Sequence, residues 1–236
     1  MRVLAIDLDP QGNLAHDLGY RDRTDDGRNL IEVLRGTASP ATLDGVRPGL
    51  DVWSGGKRLA QSVGLLIPSA SHPLVGALAT VADRYDAVFI DCPPSLGPLI
   101  DTALMAADRL IVPIRADHAS LHGLEMIGER FREIGDVNTG LALLGVTIFD
   151  VSRGATALAQ QIALALYQGF DGGNVPILPS IHRSERAAFE MRAAGLLAHE
   201  YAERHLNSGP AAKLASDYES LSHPVRAAVA DNLGQR

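Results

Sequence analysis

Two carboxylates stand at the end of the first apolar run of this chain. In the segment LAIDLDPQGN, residues 4–13, Asp7 and Asp9 follow a strand-like run and precede a turn with proline and glycine. Ligands of open α/β sheets bind beyond the carboxyl ends of parallel strands, and carboxylate oxygens suit Mg2+. The segment therefore indicates nucleotide or metal chemistry. The alternative is that both acids only cap the turn, as aspartate often does.

A second acid occupies the same kind of position. The segment YDAVFIDCPPSLG, residues 85–97, is an apolar run that ends at Asp91 and continues into Pro93, Pro94 and Gly97. An aspartate there can hold a magnesium ion directly or through water, and the glycine lets the backbone approach a phosphate closely. Two strand-end acids in one chain favour chemistry over turn capping.

Short apolar runs alternate with helix-like stretches, which predicts an α/β fold with a doubly wound, mostly parallel sheet and helices on both faces. The predicted strands are 3–7, 50–54, 87–91, 109–114, 141–149 and 175–178. The predicted helices are 29–35, 74–84, 99–107, 121–134, 155–167, 184–206 and 210–221. We expect one domain over residues 1–236 with a looser tail at 222–236.

The composition excludes some classes of protein. The chain has 236 residues, of which 46% are hydrophobic, and no apolar run approaches the roughly 20 residues of a membrane span. A lone cysteine, Cys92, fits a reducing compartment, so we expect a cytoplasmic protein without a membrane partner. The net charge of -7 argues against a wholly basic nucleic-acid binder but allows a local basic patch.

The two acidic segments together resemble the switch I and Walker B/switch II segments of the ParA branch of the ParA/MinD ATPases, a deviant Walker family that partitions plasmids and chromosomes. Weaker resemblance continues through RLIVPI at residues 109–114, HGL at 122–124, LPSIHR at 178–183 and the closing segment from residue 211 to 221. The resemblance therefore spans nearly the whole chain and implies a P-loop NTPase-like fold.

The resemblance also implies roles for individual residues. Asp9 would orient and activate the water that attacks the γ-phosphate of ATP. Asp91 would contact Mg2+ through water, and Asp7 would be a nearby metal-side acid. Switch II would comprise Pro93, Pro94 and Gly97, and Pro179 would lie in the region of the nucleotide base. ATP and Mg2+ are the implied cofactors, since phosphoryl transfer depends on positioned water, a metal and fixed charge.

The phosphate-binding loop of the family is not found in this sequence. The deviant phosphate loop, a KGGxGK motif followed by Ser or Thr, belongs on a strand before switch I, so we expect the first strand and the P-loop to be absent and the chain to be truncated relative to the family. Either the natural protein starts upstream of Met1 or its gene is truncated, or this is a functional protein without a P-loop. The segment SGGKR at residues 54–58 lacks the first glycine and the Ser or Thr of a phosphate loop, so we interpret it as a strand-exit loop.

Partners follow from the resemblance. The family implies an ATP-dependent homodimer, a ParB-like centromere-binding partner and non-specific, nucleoid-associated DNA binding, for which Arg183, Arg186 and Arg192 are the candidates. The alternative for these arginines is a solvated helix face with Glu185 and Glu190 as counter-charges. The end of the chain lacks the basic amphipathic helix of MinD-type proteins.

Two further residue sets have simple interpretations. His118 and His122 have a spacing compatible with two metal ligands, but no third ligand is evident. Cys92 between an acid and two prolines is interpreted as a packed side chain rather than a nucleophile. Two hypotheses thus remain: a ParA-like partition ATPase, and a non-catalytic binding protein of the same fold.

Overall fold

A computed structural model of the protein describes residues 1–62, 72–115, 117–151, 175–205 and 209–234. The chain clusters into two compact units, Met1–Ala107 with Arg192–Leu196, and Asp108–Met191 with Leu197–Arg236. Each unit contains its own sheet of mainly parallel strands.

Over its described residues, the first unit holds the following α-helices and β-strands: β1 (Val3–Asp7), α1 (Asn13–Asp17), α2 (Arg28–Leu34), β2 (Leu43–Arg47), β3 (Leu50–Trp53), α3 (Lys57–Ser62), α4 (Pro73–Ala79), β4 (Ala87–Asp91) and α5 (Pro98–Ala106). Its sheet has the order β2-β3-β1-β4. Strand β1 runs parallel to β3 and β4, whereas β2 is antiparallel to β3.

The central position of β1 fixes the place of its acids. Leu4 and Ile6 are fully buried in the core, and burial of such a side chain stabilises the fold by about 1.5–3 kcal/mol. The parallel register pairs Asp7 with Asp91. The two strand-end acids therefore lie side by side at the carboxyl edge of the sheet.

The second unit contains β5 (Arg109–Arg115), α6 (His118–Gly135), β6 (Ala142–Val151), β7 (Ile181–His182), α7 (Glu185–Ala194), α8 (Ala198–Arg204) and α9 (Gly209–Gly234). Its strands are parallel in the order β5-β6-β7. The end of α7, from Arg192, clusters with the first unit.

The predicted α/β class is confirmed. Strands β1 and β4 have the predicted bounds, and β3, β5 and β6 agree with prediction to within two residues. Apolar runs that end in an acid or a turn residue were sufficient to locate them. The expectation of one domain, and that of an absent first strand, stay predictions.

Several element predictions are wrong. Residues 175–178 form only an isolated bridge, between Val146 and Ile177, and the strand β2 was not predicted. The long helix 184–206 is two helices, since Gly195 adopts a left-handed φ of 61° between them. The closing helix α9 continues through Pro224 to Gly234, so residues 222–234 are helical rather than loose.

The predicted helix 155–167 lies outside the described residues. Within the described ranges, no helix has both the length and the apolar character needed to cross a membrane.

Candidate functional site

Asp7 is the most deeply buried acid of the site. Its side chain is fully buried, and its Oδ1 accepts a hydrogen bond of 3.0 Å from the backbone N–H of Asp9. Its Oδ2 has no hydrogen-bond partner among the described residues. Burial, and then the charge of Asp91, raise the pKa of Asp7 from 3.8 to about 7.

Asp9 lies in the turn that follows β1. Its Oδ1 accepts a hydrogen bond of 2.9 Å from the N–H of Gln11, and its backbone oxygen accepts one of 3.0 Å from Gly12. Gly12 has a left-handed φ of 63°, which favours glycine there. The turn holds Asp9 half-buried beside the buried acid, where a water could be oriented.

Asp91 ends β4 at the same edge. Its backbone oxygen accepts a hydrogen bond of 2.8 Å from the N–H of Leu8, which ties the two strand ends together. Displacement of water by the surrounding protein, and then the charges of Asp9 and Asp17, raise the pKa of Asp91. Four acids of the first unit therefore interact electrostatically at one site.

The segment after Asp91 forms the loop between β4 and α5. Pro93 and Pro94 lie in this loop, and Gly97 is the N-cap residue of α5, with its oxygen accepting from the N–H of Asp101 at 3.1 Å. Burial raises the pKa of the Cys92 thiol to about 12. A thiol that stays protonated is a poor nucleophile, which supports the interpretation of a packed side chain.

Tyr20 belongs to the site but was missed in the sequence. Its side chain is 3% exposed, and its hydroxyl has no hydrogen-bond partner among the described residues. Burial, and then the charges of Asp7 and Asp91, raise its pKa. A single aromatic residue beyond a short helix has no sequence pattern that points to a buried acid, so no local signal could have found it.

The loop at residues 54–57 serves packing. A Cβ at Gly55 would lie 2.1 Å from the backbone oxygen of Asp7, and one at Gly56 would lie 2.9 Å from the backbone of Asp26. The Lys57 ammonium binds Asp26 at 3.0 Å. These glycines permit close approach to the end of β1, as a strand-exit loop requires, so the loop is not arranged as a phosphate cradle.

The acids fit the implied Mg2+. Magnesium is commonly bound by one or two carboxylates together with waters and substrate phosphates. The Oδ2 of Asp7, which accepts no hydrogen bond from a described residue, is an oxygen of the right kind. Within the described residues, no cluster of three or more His, Cys, Asp or Glu could hold a metal by itself. His122 instead contacts Glu125, with 3.5 Å between Nδ1 and Oε2.

The remaining predicted site residues divide between the units. In the second unit, Pro179 is half-buried, and its backbone oxygen accepts a hydrogen bond of 2.8 Å from the Thr147 hydroxyl. The structure brings Asp7, Asp9 and Asp91 together within the first unit. Their roles, and that of Pro179, stay predictions.

Each candidate DNA-binding arginine contacts an acid. Arg183 binds Glu185 and lies 3.6 Å from Asp150, and Arg186 binds Glu190 at 2.8 Å. These pairs agree with the alternative expectation, in which the arginines belong to a solvated helix face whose charge is balanced by acids. Arg192 binds Asp17 through two contacts of 2.6 and 3.0 Å. The sequence did not indicate this partner, because the two residues are far apart in the chain.

The sequence of this chain is similar to those of several known proteins. Residues 1–143 match the family model described as AAA domain. The chromosome-partitioning ATPase Soj of Thermus thermophilus is 35% identical over 172 residues, which cover 72% of this chain and 65% of Soj. The chromosome partitioning protein ParA of Caulobacter vibrioides is 36% identical over 169 residues, covering 69% of this chain and 62% of ParA. The match thus spans less than two thirds of either relative.

Solved structures support the same assignment. Cobyrinic acid a,c-diamide synthase from Mycobacterium smegmatis, with bound ADP and magnesium, has a TM-score of 0.64 and 30% identity, covering 88% of this chain and 84% of that one. Its fold agrees with the parallel sheets and flanking helices found here. With more than half of its length matched by the family model and with partition ATPases among its relatives, the chain belongs to the AAA domain family and, within it, to the ParA/MinD proteins.

Proposed function

We propose that the protein is a ParA-like partition ATPase that dimerises around ATP and binds DNA non-specifically in that state. The observation that carries the proposal is the convergence of Asp7, Asp9 and Asp91 at the carboxyl edge of paired parallel strands. A ParB-like centromere-binding protein is the proposed partner that stimulates hydrolysis. The proposed location is the cytoplasm, in association with the nucleoid.

Within this proposal, the residues have separate tasks. Asp9 orients the attacking water from the turn held by Gln11 and Gly12. Asp91, through water, and the Oδ2 of Asp7 would hold Mg2+. Bound magnesium would neutralise charge on the phosphate oxygens, which lowers the barrier of phosphoryl transfer. The loop with Pro93, Pro94 and Gly97 supplies the backbone that faces the phosphates.

The alternative is a non-catalytic binding protein of the same fold. The packing of Gly55 and Gly56 against Asp7 and Asp26 favours this alternative, because two glycines that contact the protein backbone closely leave no space there for a phosphate. This protein would act through its dimer or partner surface. Saturable, magnesium-dependent nucleotide binding distinguishes the two proposals.

Hydrolysis by an Asp9→Ala variant tests the proposed role of Asp9. We expect a fall in the turnover rate of about 100-fold or more, which is typical for removal of a group that positions or activates a nucleophile, while ATP-dependent dimerisation persists. Asp22→Asn, at an exposed acid outside the site, is the control. Turnover by Asp9→Ala at the rate of the control would refute the role.

A further inference from the structure

Helices α1 and α7 end against each other at two glycines. Gly19 follows α1 with a φ of 66°, and Gly195 follows α7 with a φ of 61°. A Cβ at Gly195 would lie 2.8 Å from the Cα of Gly19, and one at Gly19 would lie 3.0 Å from the backbone oxygen of Gly195. Both positions therefore need glycine, for backbone conformation and for space.

Arg47 joins the same two helix ends. One guanidinium nitrogen donates to the backbone oxygen of Leu18 at 2.9 Å, and another donates to that of Gly195 at 2.7 Å. The last carbonyl groups of a helix have no partner within the helix, and a cation there interacts favourably with the helix dipole. Arg47 thus stabilises both ends at once.

Arg192 and Asp17 form a bidentate pair beside this contact. The Nε–Oδ1 distance is 2.6 Å, and the second nitrogen lies 3.0 Å from Oδ2. The side chains are 55% and 39% exposed, so the pair alone would be weak. Its two contacts fix the orientation of the Arg192 guanidinium relative to the Asp17 carboxylate. We call Asp17, Gly19, Arg47, Arg192 and Gly195 the α1–α7 clamp.

The clamp connects two regions with different proposed tasks. At one end, α1 begins directly after the turn of Asp9, in which the backbone oxygen of Asp9 accepts a hydrogen bond of 3.0 Å from the N–H of Gly12. At the other end, α7 carries Arg186 and follows Arg183, two of the candidate phosphate contacts. Because α7 is one continuous helix, a shift at Arg186 is transmitted to Arg192.

We propose that the α1–α7 clamp couples the acids at the end of β1 to α7, with Arg192 and Asp17 acting as positioning residues for Asp9. The proposal rests on the proposed function, because it assigns the two coupled regions to ATP and DNA. A DNA phosphate that takes Arg192 from Asp17 releases α1 and alters the turn of Asp9. By linkage, nucleotide bound at the acids changes DNA affinity by the same factor.

Hydrogen exchange tests the clamp without any ligand. We expect Arg192→Gln to raise amide exchange across residues 9–20 by about threefold, in line with the loss of one oriented ion pair, and to shift the carboxyl NMR signal of Asp9. Arg204→Gln, at an exposed arginine of α8, is the matched control. Exchange and an Asp9 signal that match the control would overturn the proposal.

DNA binding with and without magnesium-ATP tests the coupling. The dissociation constant for DNA without magnesium-ATP, divided by that with it, should fall about fivefold or more in Asp17→Asn and in Arg192→Gln, and should stay at the wild-type value in Arg204→Gln. Unchanged ratios in both single variants would overturn the coupling. A wild-type protein that binds neither ligand would refute the proposed function, and the exchange result alone would then decide whether the clamp positions Asp9.

Discussion

Asp7 is completely buried and lies beside another acid, and among the described residues only one of its carboxylate oxygens has a hydrogen-bond partner. Removing water from a carboxyl group disfavours its charged form, and the charge of Asp91 adds to that effect. A divalent cation bound at this edge would oppose both effects, because its positive charge lowers the pKa of a nearby carboxyl group. The protein without ligand therefore holds an acid that is only partly ionised near neutral pH.

The pH dependence of stability follows from this carboxyl group. The folded protein keeps the Asp7 proton up to about pH 7, whereas the unfolded chain releases it near its ordinary pKa of 3.8. Folded protein thus binds more protons in that window, and the free energy of unfolding falls as the pH rises through it, by about 4 kcal/mol. Asp7→Asn should flatten this fall in urea unfolding. Equal pH slopes for the variant and the wild type would contradict the assignment.

Tyr20 gives a second prediction at this scale. Tyr20→Phe removes a buried hydroxyl that has no partner among the described residues, so we expect unchanged or higher stability, by up to about 1 kcal/mol. Thermal unfolding measures the change. A loss of more than about 1 kcal/mol would mean that the hydroxyl has a partner in solution.

Sequence reasoning at the residue scale succeeded where the signal was local. Asp7, Asp9 and Asp91 follow apolar strands directly, so the strand pattern located them. Tyr20 and the Asp17 partner of Arg192 were not predicted, because the first depends on burial and the second joins residues 175 positions apart.

Among the elements, the break between α7 and α8 matters most for the site. Residues 184–206 have a helical pattern throughout, but the left-handed Gly195 ends α7 and places it against α1. Strand β2 escaped prediction because Asp44 and Gly45 interrupt its apolar pattern and its register with β3 is irregular. Contacts between distant segments decided both cases.

A substitution at the helix junction tests its geometry. Gly195→Ala should destabilise the protein by more than about 1 kcal/mol, because alanine disfavours this backbone conformation and its Cβ would meet Gly19. Gly76→Ala, within α4 and with nothing within 4 Å of the new Cβ, should instead stabilise by about 0.5–1 kcal/mol. Equal effects in urea unfolding would be inconsistent with the junction described here.

At the scale of the whole molecule, the sheet of the first unit presents an apolar edge. Within the described residues, β4 pairs on one side only, with β1, and Val88 and Phe89 are 38% and 43% exposed. A strand with apolar side chains on both faces is typical of a sheet interior. The sequence predicted the strand from this pattern but could not show which of its sides is paired.

The exposed edge predicts self-association of the isolated protein. Phe89→Lys should reduce concentration-dependent association in light scattering, because a charge on an edge strand opposes edge-to-edge pairing. Val75→Lys changes an apolar residue of α4 that is 42% exposed, and it should leave association unchanged. Equal association of both variants would exclude the β4 edge as its cause.

The net charge of -7 means that DNA binding must depend on a local patch. If Arg183 and Arg186 contact phosphates, replacing either by Gln should lower the magnitude of the slope of log affinity against log salt by about 1. Fluorescence anisotropy at several salt concentrations measures the slope. A slope equal to that of Arg204→Gln would remove the residue from the DNA interface.

The central claim is that the acids at the ends of β1 and β4 form a magnesium–nucleotide site. Calorimetric titration of the protein with ATP, with and without Mg2+, tests it most directly. The account predicts saturable heat that requires Mg2+, is lost in Asp91→Asn and persists in Asp22→Asn. Binding that is absent from the wild type, or equally strong in Asp91→Asn, would contradict it.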